Sequence, residues 1–112
     1  MILVSGCAMQ IAHEETRQPS PRDKASIQLT LEGKQLLNEG KTDNAIWQLE
    51  QAIGLNPNNG QTYYYLAQAW LKKGIFSEAK EFNNLAQIYL QDDKKWMIRV
   101  EKQANQIERL EK

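Results

Sequence analysis

The sequence predicts an all-α fold: two helix–turn–helix units followed by one further helix. Three observations support it. From Ala25 onward, apolar residues recur at gaps of three and four, which is the period of one face of an α-helix. At an offset of 34 residues the chain resembles itself, so that residues 26–57 align with 60–91. Breaker residues, above all the stretch 56–60, separate the apolar runs.

The N-terminal segment, residues 1–7, ends in Val4-Ser5-Gly6-Cys7, which resembles the lipobox of bacterial lipoproteins. In such proteins the cysteine is lipidated and becomes the mature N-terminus, so the resemblance implies a lipid anchor on Cys7. A secretory signal has a positively charged start and an apolar stretch of about 7–15 residues. Here only four residues precede the two small ones. Two interpretations remain: the true start lies upstream, or Cys7 is an ordinary residue.

Residues 8–24 are predicted to form a flexible tether. They are polar, include Pro19 and Pro21, and show no sustained helical stripe. A semi-flexible chain of about 16 residues has a reach of roughly 20–25 Å. This suits a domain held away from a membrane. His13 lies in this segment beside two glutamates, where a solvated linker residue is expected rather than a metal ligand.

The two units are predicted to contain four helices, at 25–39, 43–55, 61–73 and 78–90. Four identities recur at the offset of 34, namely Leu37 with Leu71, Gly40 with Gly74, Ala45 with Ala79 and Ala52 with Ala86. Gly40 and Gly74 are expected to supply the left-handed residue that ends each first helix. Thr42 and Ser77 are predicted N-caps of the second helices.

A fifth helix, at about 93–111, is predicted to cap the end of the second unit. It follows Asp92 and Asp93, whose carboxylates favour a helix start. Its apolar residues share one face. They are Trp96, Met97, Val100, Ala104, Ile107 and Leu110.

Small and bulky residues recur at fixed places in the two units. In the first unit these places hold Leu29, Gly33, Leu36, Ala45, Leu49, Ala52 and Pro57. In the second unit the same seven places hold Tyr63, Ala67, Trp70, Ala79, Asn83, Ala86 and Gln91, and Leu66 stands beside Ala67. With this pattern the chain resembles the tetratricopeptide repeat (TPR) family, in two repeats at about 26–59 and 60–91 within a domain at 25–112. Asn83 and Gln91 depart from the family pattern, which usually has Phe and Pro there.

Composition and motifs argue against catalysis and against nucleic acid binding. Lys+Arg 14 against Asp+Glu 14 gives no net charge to release counterions from a phosphate backbone. The single histidine, His13, lies in the predicted tether, so the domain has no histidine for a Ser-His-Asp set, and one cysteine and one histidine do not make a zinc-spaced cluster. We therefore expect a protein that is not an enzyme and needs no metal or cofactor.

The resemblance implies that the first helices of the repeats line a concave face that binds another protein or peptide. At the usual groove positions the exposed residues are expected to be Lys34, Asn38, Tyr64, Gln68 and Lys72, with Leu37 and Leu71 in the core. Tyr64 is the main exposed contact in this prediction. The clamp by which some TPR co-chaperones hold a C-terminal carboxylate is not reproduced, because Thr30 and Tyr65 occupy two of its positions.

Two apolar groups are predicted to lie outside the core. Trp47 falls opposite the buried stripe of its helix and is a second candidate contact, on the convex face. Ile27 and Leu31 share a side of the first helix that no earlier repeat covers. An uncovered end of this kind is a common docking or dimerisation surface.

These features predict a lipid-anchored adaptor or scaffold that assists assembly of a bacterial envelope complex. By the same resemblance, Ala8 after the cysteine favours the outer membrane, with the domain facing the periplasm. The layout is similar to that of small TPR lipoproteins such as pilotins. One alternative is a soluble cytoplasmic TPR module. Another is a self-associating structural subunit, such as a homodimer.

Overall fold

The computed structural model of the chain describes residues 18–112, which form five α-helices and no strand. Their bounds are Pro21–Asn38 (α1), Thr42–Leu55 (α2), Gly60–Lys72 (α3), Phe76–Tyr89 (α4) and Lys94–Glu111 (α5). The α1/α2 and α3/α4 pairs form two helical hairpins, and α5 packs on α4 and α3. The prediction of an all-α fold with two hairpins and a further helix is confirmed. Within these residues, no helix has the length and apolar character needed to cross a bilayer.

Helix α1 begins four residues earlier than the predicted residue 25. Ser20 and Asp23 form a capping box: Ser20 Oγ accepts from the Asp23 N–H, and Asp23 Oδ2 accepts from the Ser20 N–H, both at 3.1 Å. Pro21 suits the first helical position because the N–H that it lacks would have no partner there. The predicted tether at 8–24 is therefore wrong for residues 21–24. Residues 1–17, including Cys7, lie outside the described residues.

The turn inside each hairpin is closed by a glycine in the left-handed region. Gly40 has φ 79° and Gly74 has φ 75°, as predicted. In the second hairpin the Gly74 N–H donates to the Leu71 carbonyl and the Ile75 N–H to the Trp70 carbonyl, and the first hairpin has the same pattern. This pair of hydrogen bonds is a Schellman motif, which satisfies the last carbonyls of α1 and α3.

The predicted N-caps of α2 and α4 are wrong. In each hairpin the N-cap is the residue directly after the left-handed glycine. It is Lys41 for α2 and Ile75 for α4. Neither side chain makes a capping hydrogen bond. Thr42 is the first residue of α2 and Ser77 is the second residue of α4. The sequence could not reveal this because a cap position depends on how tightly the preceding turn closes.

Small residues let the helices of each hairpin approach closely. Ala45, Ala67 and Ala79 are fully buried, and Gly33 packs on Leu49 of α2. Leu37 and Leu71 are 3% and 8% exposed, which confirms that they belong to the core. The close approach predicted from the repeated small residues is therefore present in both hairpins.

Helix α5 is tied to the second hairpin by a buried polar side chain. Asn83 Nδ2 of α4 donates to the Val100 carbonyl and to Gln103 Oε1, each at 2.9 Å. The start of α5 is capped as predicted, since Asp93 Oδ1 accepts from the Trp96 N–H. Of the residues on the predicted apolar face, Val100 and Ile107 are buried, whereas Leu110 at its end is 51% exposed.

Candidate functional site

Three helices lie side by side on one surface of the domain, with α3 between α1 and α5. The hydroxyl groups of Thr30 on α1 and Thr62 on α3 are 2.7 Å apart and hydrogen-bonded. On the other side of α3, Gln103 of α5 donates from Nε2 to the Tyr64 carbonyl at 3.0 Å. Each of these helices has one side directed away from α2 and α4. We call the surface formed by these sides the α1–α3–α5 face. It contains the groove residues that the sequence predicted.

Tyr64 lies at the centre of this face but is half-buried rather than exposed. Its ring packs edge-on against Tyr65 and Trp96, with ring centroids 5.2 and 5.3 Å apart. Trp96 comes from α5, which covers this side of α3. The predicted exposure of Tyr64 is wrong because the sequence did not place α5 on α3.

Gln68 lies one turn after Tyr64 and also contacts α5. Gln103 Nε2 donates to Gln68 Oε1 at 2.8 Å, so these two amides hold α3 and α5 together. Gln68 is half-buried in this arrangement. The structure therefore brings together the predicted residues Tyr64 and Gln68 and adds α5 to them.

Arg99 of α5 is the site residue that the sequence prediction missed. Its Cζ lies 4.1 Å from the ring centroid of Trp96 and 5.2 Å from that of Tyr64, within cation–π distance of both rings. A depression of about 280 Å³ lies beside it. Its lining residues are Tyr64, Gln68, Arg99, Lys102, Gln103 and Gln106. The sequence contains one pattern that could have indicated Arg99: Lys95, Arg99 and Lys102 are spaced by four and three residues, which places three cations on one stripe of α5.

The remaining predicted groove residues lie on α1 and at the end of α3. Lys34 and Asn38 are exposed on α1, one turn apart. Lys72 is exposed, and its Nζ donates to the Leu37 carbonyl at 3.1 Å. Lys72 thereby gives a second hydrogen bond to a carbonyl that also accepts from the Gly40 N–H, while its charge stays at the surface.

Trp47 is separated from the α1–α3–α5 face. It lies on α2 and is 61% exposed, which confirms its predicted exposure. The structure thus divides the predicted site residues into two groups. Lys34, Asn38, Tyr64, Gln68 and Lys72 lie on α1 and α3, and Trp47 lies on α2.

A second cleft, of about 410 Å³, lies near the N-terminal ends of α1 and α3. Ile27 and Leu31 line it and are 44% and 52% exposed, which confirms their predicted exposure. Gln61 and Tyr89 also line it. Tyr89 stacks on Tyr63, whose hydroxyl donates to the Pro57 carbonyl at 2.6 Å. Burial, together with the nearness of Tyr89, raises the pKa of the Tyr63 phenol above its ordinary value.

Titratable groups do not form a metal-binding arrangement among residues 18–112, since no three His, Cys, Asp or Glu side chains gather there. The polar groups on the α1–α3–α5 face include several amides and cations. Such groups donate hydrogen bonds to carbonyl and carboxylate oxygens. The arrangement is therefore chemically suited to binding polar groups.

Comparison with known proteins gives one family. The family model described as tetratricopeptide repeat matches residues 36–96. The match begins near the end of α1, includes α2, α3 and α4, and ends in the first turn of α5. No curated protein matches the chain significantly.

Proposed function

The chain belongs to the tetratricopeptide repeat family, and on this premise we propose that it is an adaptor whose α1–α3–α5 face binds a segment of another protein. Repeats of this family generally mediate protein–protein interaction, and the family is typically a non-enzymatic binding module. The observation that carries the proposal is the side-by-side packing of α1, α3 and α5, which joins exposed polar side chains of three helices into one surface.

Preorganisation supports the choice of this face over the rest of the surface. Tyr64 and Gln68 are held by contacts with α5, and Arg99 is held over two aromatic rings. Side chains that are already ordered lose less conformational entropy when a partner binds. Trp47, by contrast, is 61% exposed on α2, and its side chain makes no hydrogen bond with residues 18–112.

The test is selection from a library of random displayed peptides of about 12 residues, a length that crosses several helices in an extended form. The strongest recovered peptide is synthesised with a fluorophore, and its Kd is measured by anisotropy. Gln68→Ala and Lys34→Glu are expected to weaken binding, while Gln51→Ala on the exposed side of α2 serves as the matched control. Recovery of no peptide, or weakening by Trp47→Ala and not by Gln68→Ala, would contradict the proposal.

We further propose that the adaptor is anchored through Cys7 to a bacterial outer membrane, faces the periplasm and assists assembly of an envelope complex. The support is the sequence Val4-Ser5-Gly6-Cys7, with Ala8 after it and a polar segment before the capping box of α1. A lipid on the cysteine would hold the domain near the membrane surface.

Metabolic labelling with palmitate tests the anchor, with Cys7→Ser as its control. Label in the parent protein and none in Cys7→Ser is the expected result. Label in both proteins would contradict the assignment of Cys7. Absence of label from the parent, with the protein in the soluble cytoplasmic fraction, would instead support the alternative of a soluble module.

Self-association is a second candidate function, supported by the exposed side chains of Ile27 and Leu31 in the cleft at the N-terminal ends of α1 and α3. Sedimentation at several concentrations tests it. A molecular mass that rises with concentration, and that Leu31→Gln returns to the monomer value, is the expected result. A constant monomer mass would reject this candidate.

A further inference from the structure

Apart from Lys94 and Arg109, the charged residues of α5 lie on two stripes. Lys95, Arg99 and Lys102 follow one another at spacings of four and three residues, and Arg99 lies over the Tyr64 ring, so this stripe borders α3. Glu101, Glu108 and Glu111 form the other stripe. Glu111 Oε1 lies 2.6 Å from Lys80 Nζ of α4, which places that stripe toward α4. These three cations of α5 therefore border the α1–α3–α5 face, and the three carboxylates turn away from it.

The other two helices continue this separation. Helix α3 contains no Asp or Glu from Gly60 to Lys72, and it ends in the exposed Lys72. On α1, Lys34 is exposed, whereas Glu32 accepts a hydrogen bond from Gln48 of α2 and so turns toward the opposite side. Asp23, near the start of α1, is a carboxylate at that end of the face: it lines the cleft with Ile27 and is hydrogen-bonded in the capping box with Ser20.

The α1–α3–α5 face is consequently basic on a chain with no formal net charge. Its cations are Lys34, Lys72, Lys95, Arg99 and Lys102. Within residues 18–112, the ion pairs join Lys41 to Glu39, Lys73 to Asp43, Lys80 to Glu111 and Lys112 to Glu108, so none of the five cations is neutralised by a carboxylate of that part of the chain. Cations that face no internal carboxylate raise the local concentration of anionic groups.

Among these cations, Arg99 is the one that lies over aromatic rings of residues 18–112. Its guanidinium lies over Trp96 and Tyr64, so the aromatic rings fix its position. A guanidinium carries its N–H donors in a planar fork, which can form two parallel hydrogen bonds to a carboxylate. Lys102 lies three residues later on the same stripe and lines the same depression.

We propose that the α1–α3–α5 face recognises an acidic segment of a partner protein, with Arg99 binding a carboxylate and the four lysines supplying the surrounding positive field. This inference rests on the proposed adaptor function and adds the chemistry of the partner. Apolar side chains flank the cations: Ile98, one turn from both Lys95 and Lys102, is 66% exposed, and Ile27 and Leu31 are exposed on α1. The recognised segment therefore carries apolar residues between its carboxylates.

A polypeptide fits these features better than a nucleic acid does. Nucleic acid binding draws most of its affinity from a continuous array of phosphate contacts. Here the cations are interrupted by Ile98 and by the amides Gln68 and Gln106. Mixed amide, apolar and cationic groups match the mixed chemistry of an acidic peptide.

The peptide selection described above provides the first test. Recovered peptides are expected to be enriched in Asp and Glu over the input library. Recovery of peptides without this enrichment would overturn the inference and leave the adaptor function intact. Recovery of no peptide would overturn the adaptor function itself, so the two failures are distinguishable.

Anisotropy with the strongest recovered peptide provides the second test. Replacing its carboxylates with amides, or Arg99 with Gln, is expected to raise Kd about tenfold, since each removes a charge-assisted hydrogen bond. Lys102→Gln raises Kd by several-fold, and the parent affinity falls with added salt. Lys80→Gln, which removes the same charge from α4, is the matched control and leaves Kd within about twofold. A loss for Lys80→Gln as large as that for Arg99→Gln would overturn the inference.

A thymidine oligonucleotide of about 12 nucleotides serves as the second probe, since it carries a full array of phosphates. It is expected to bind more weakly than the acidic peptide and not to compete with it. If it binds more tightly than the peptide and Arg99→Gln abolishes that binding, the face is a nucleic acid site and the inference is wrong. Circular dichroism of each variant confirms that the helices are retained.

Discussion

Gly33 of α1 packs directly on Leu49 of α2, so closely that a Cβ at residue 33 would lie 2.6 Å from both Cγ and Cδ2 of Leu49. Leu49 is fully buried and has little space to move. Gly33→Ala is therefore expected to lower the free energy of unfolding by about 1–3 kcal/mol through overpacking. The higher helix propensity of alanine, about 1 kcal/mol, offsets part of that loss. Urea unfolding followed by circular dichroism measures the difference.

Gly54 is the matched control for this substitution. It also lies in a helix, but a Cβ there would meet no atom within 4 Å. Gly54→Ala is expected to raise the free energy of unfolding by about 0.5–1 kcal/mol, because alanine loses less backbone entropy on folding. Equal changes in the free energy of unfolding for the two variants would contradict the prediction that a Cβ at residue 33 overpacks Leu49.

Substitution of Gly74 tests the effect of backbone conformation, rather than side-chain packing, on stability. Its φ of 75° is in the left-handed region, and a Cβ at this position would meet nothing within 4 Å. Gly74→Ala is expected to lower stability by about 1–2 kcal/mol, which is the steric cost of that conformation for an L-residue. Gly74→Asn is expected to lose less, since asparagine tolerates this region better. Thermal unfolding compares the two, and an alanine variant more stable than the asparagine variant would contradict the argument.

Asn83 is predicted to control the attachment of α5. Its Nδ2 donates to the Val100 carbonyl and to Gln103 Oε1, so Asn83→Asp places a carboxylate oxygen against two acceptors in a buried site. We expect a loss of about 2–4 kcal/mol, because the donor is removed and a charge is buried. Urea unfolding gives the loss, and hydrogen exchange is expected to increase in α5.

The neighbouring Asn84 provides the control for Asn83. It is exposed on α4, so Asn84→Asp introduces the same carboxylate in solvent. This variant is expected to change stability by less than about 0.5 kcal/mol. Protection of α5 that survives Asn83→Asp would refute the role of this side chain.

The helical hairpins could be predicted from the sequence because their physical requirements are local or repeated. Gly40 and Gly74 are needed wherever a tight turn adopts a positive φ, and Gly33 and Ala67 occur where the two helices meet. Such requirements recur at the repeat offset and are therefore visible in one chain. The core positions of Leu37 and Leu71 follow from the same periodicity.

The site could be predicted only in part, because helical periodicity gives the faces of a helix and not its neighbours. Lys34 and Lys72 were found by register, but the contact of α5 with α3 depends on tertiary packing. That contact half-buries Tyr64 and brings Arg99 over its ring. The hydrogen bonds from Asn83 to α5 could not be predicted either, because the partners of an asparagine at an apolar position are known only when the position of α5 is known.

Tyr63 predicts a loss of stability at alkaline pH. Burial raises the pKa of its phenol above the ordinary value of 10.0, and Tyr89 adds to the effect. Because the folded pKa is the higher one, folding favours the neutral phenol. Its contribution to stability is complete below the unfolded pKa and is lost as pH rises from there through the folded pKa.

Tyr63→Phe removes this titration and retains the ring that stacks on Tyr89. At neutral pH the variant is expected to be about 1 kcal/mol less stable, because the hydrogen bond from the Tyr63 hydroxyl to the Pro57 carbonyl is lost. From pH 8 to about 11, however, the variant is expected to lose less stability than the parent, since phenylalanine has no proton to release. Urea unfolding of both proteins across this range measures the two slopes. Equal slopes would mean that the alkaline loss comes from groups other than the Tyr63 phenol.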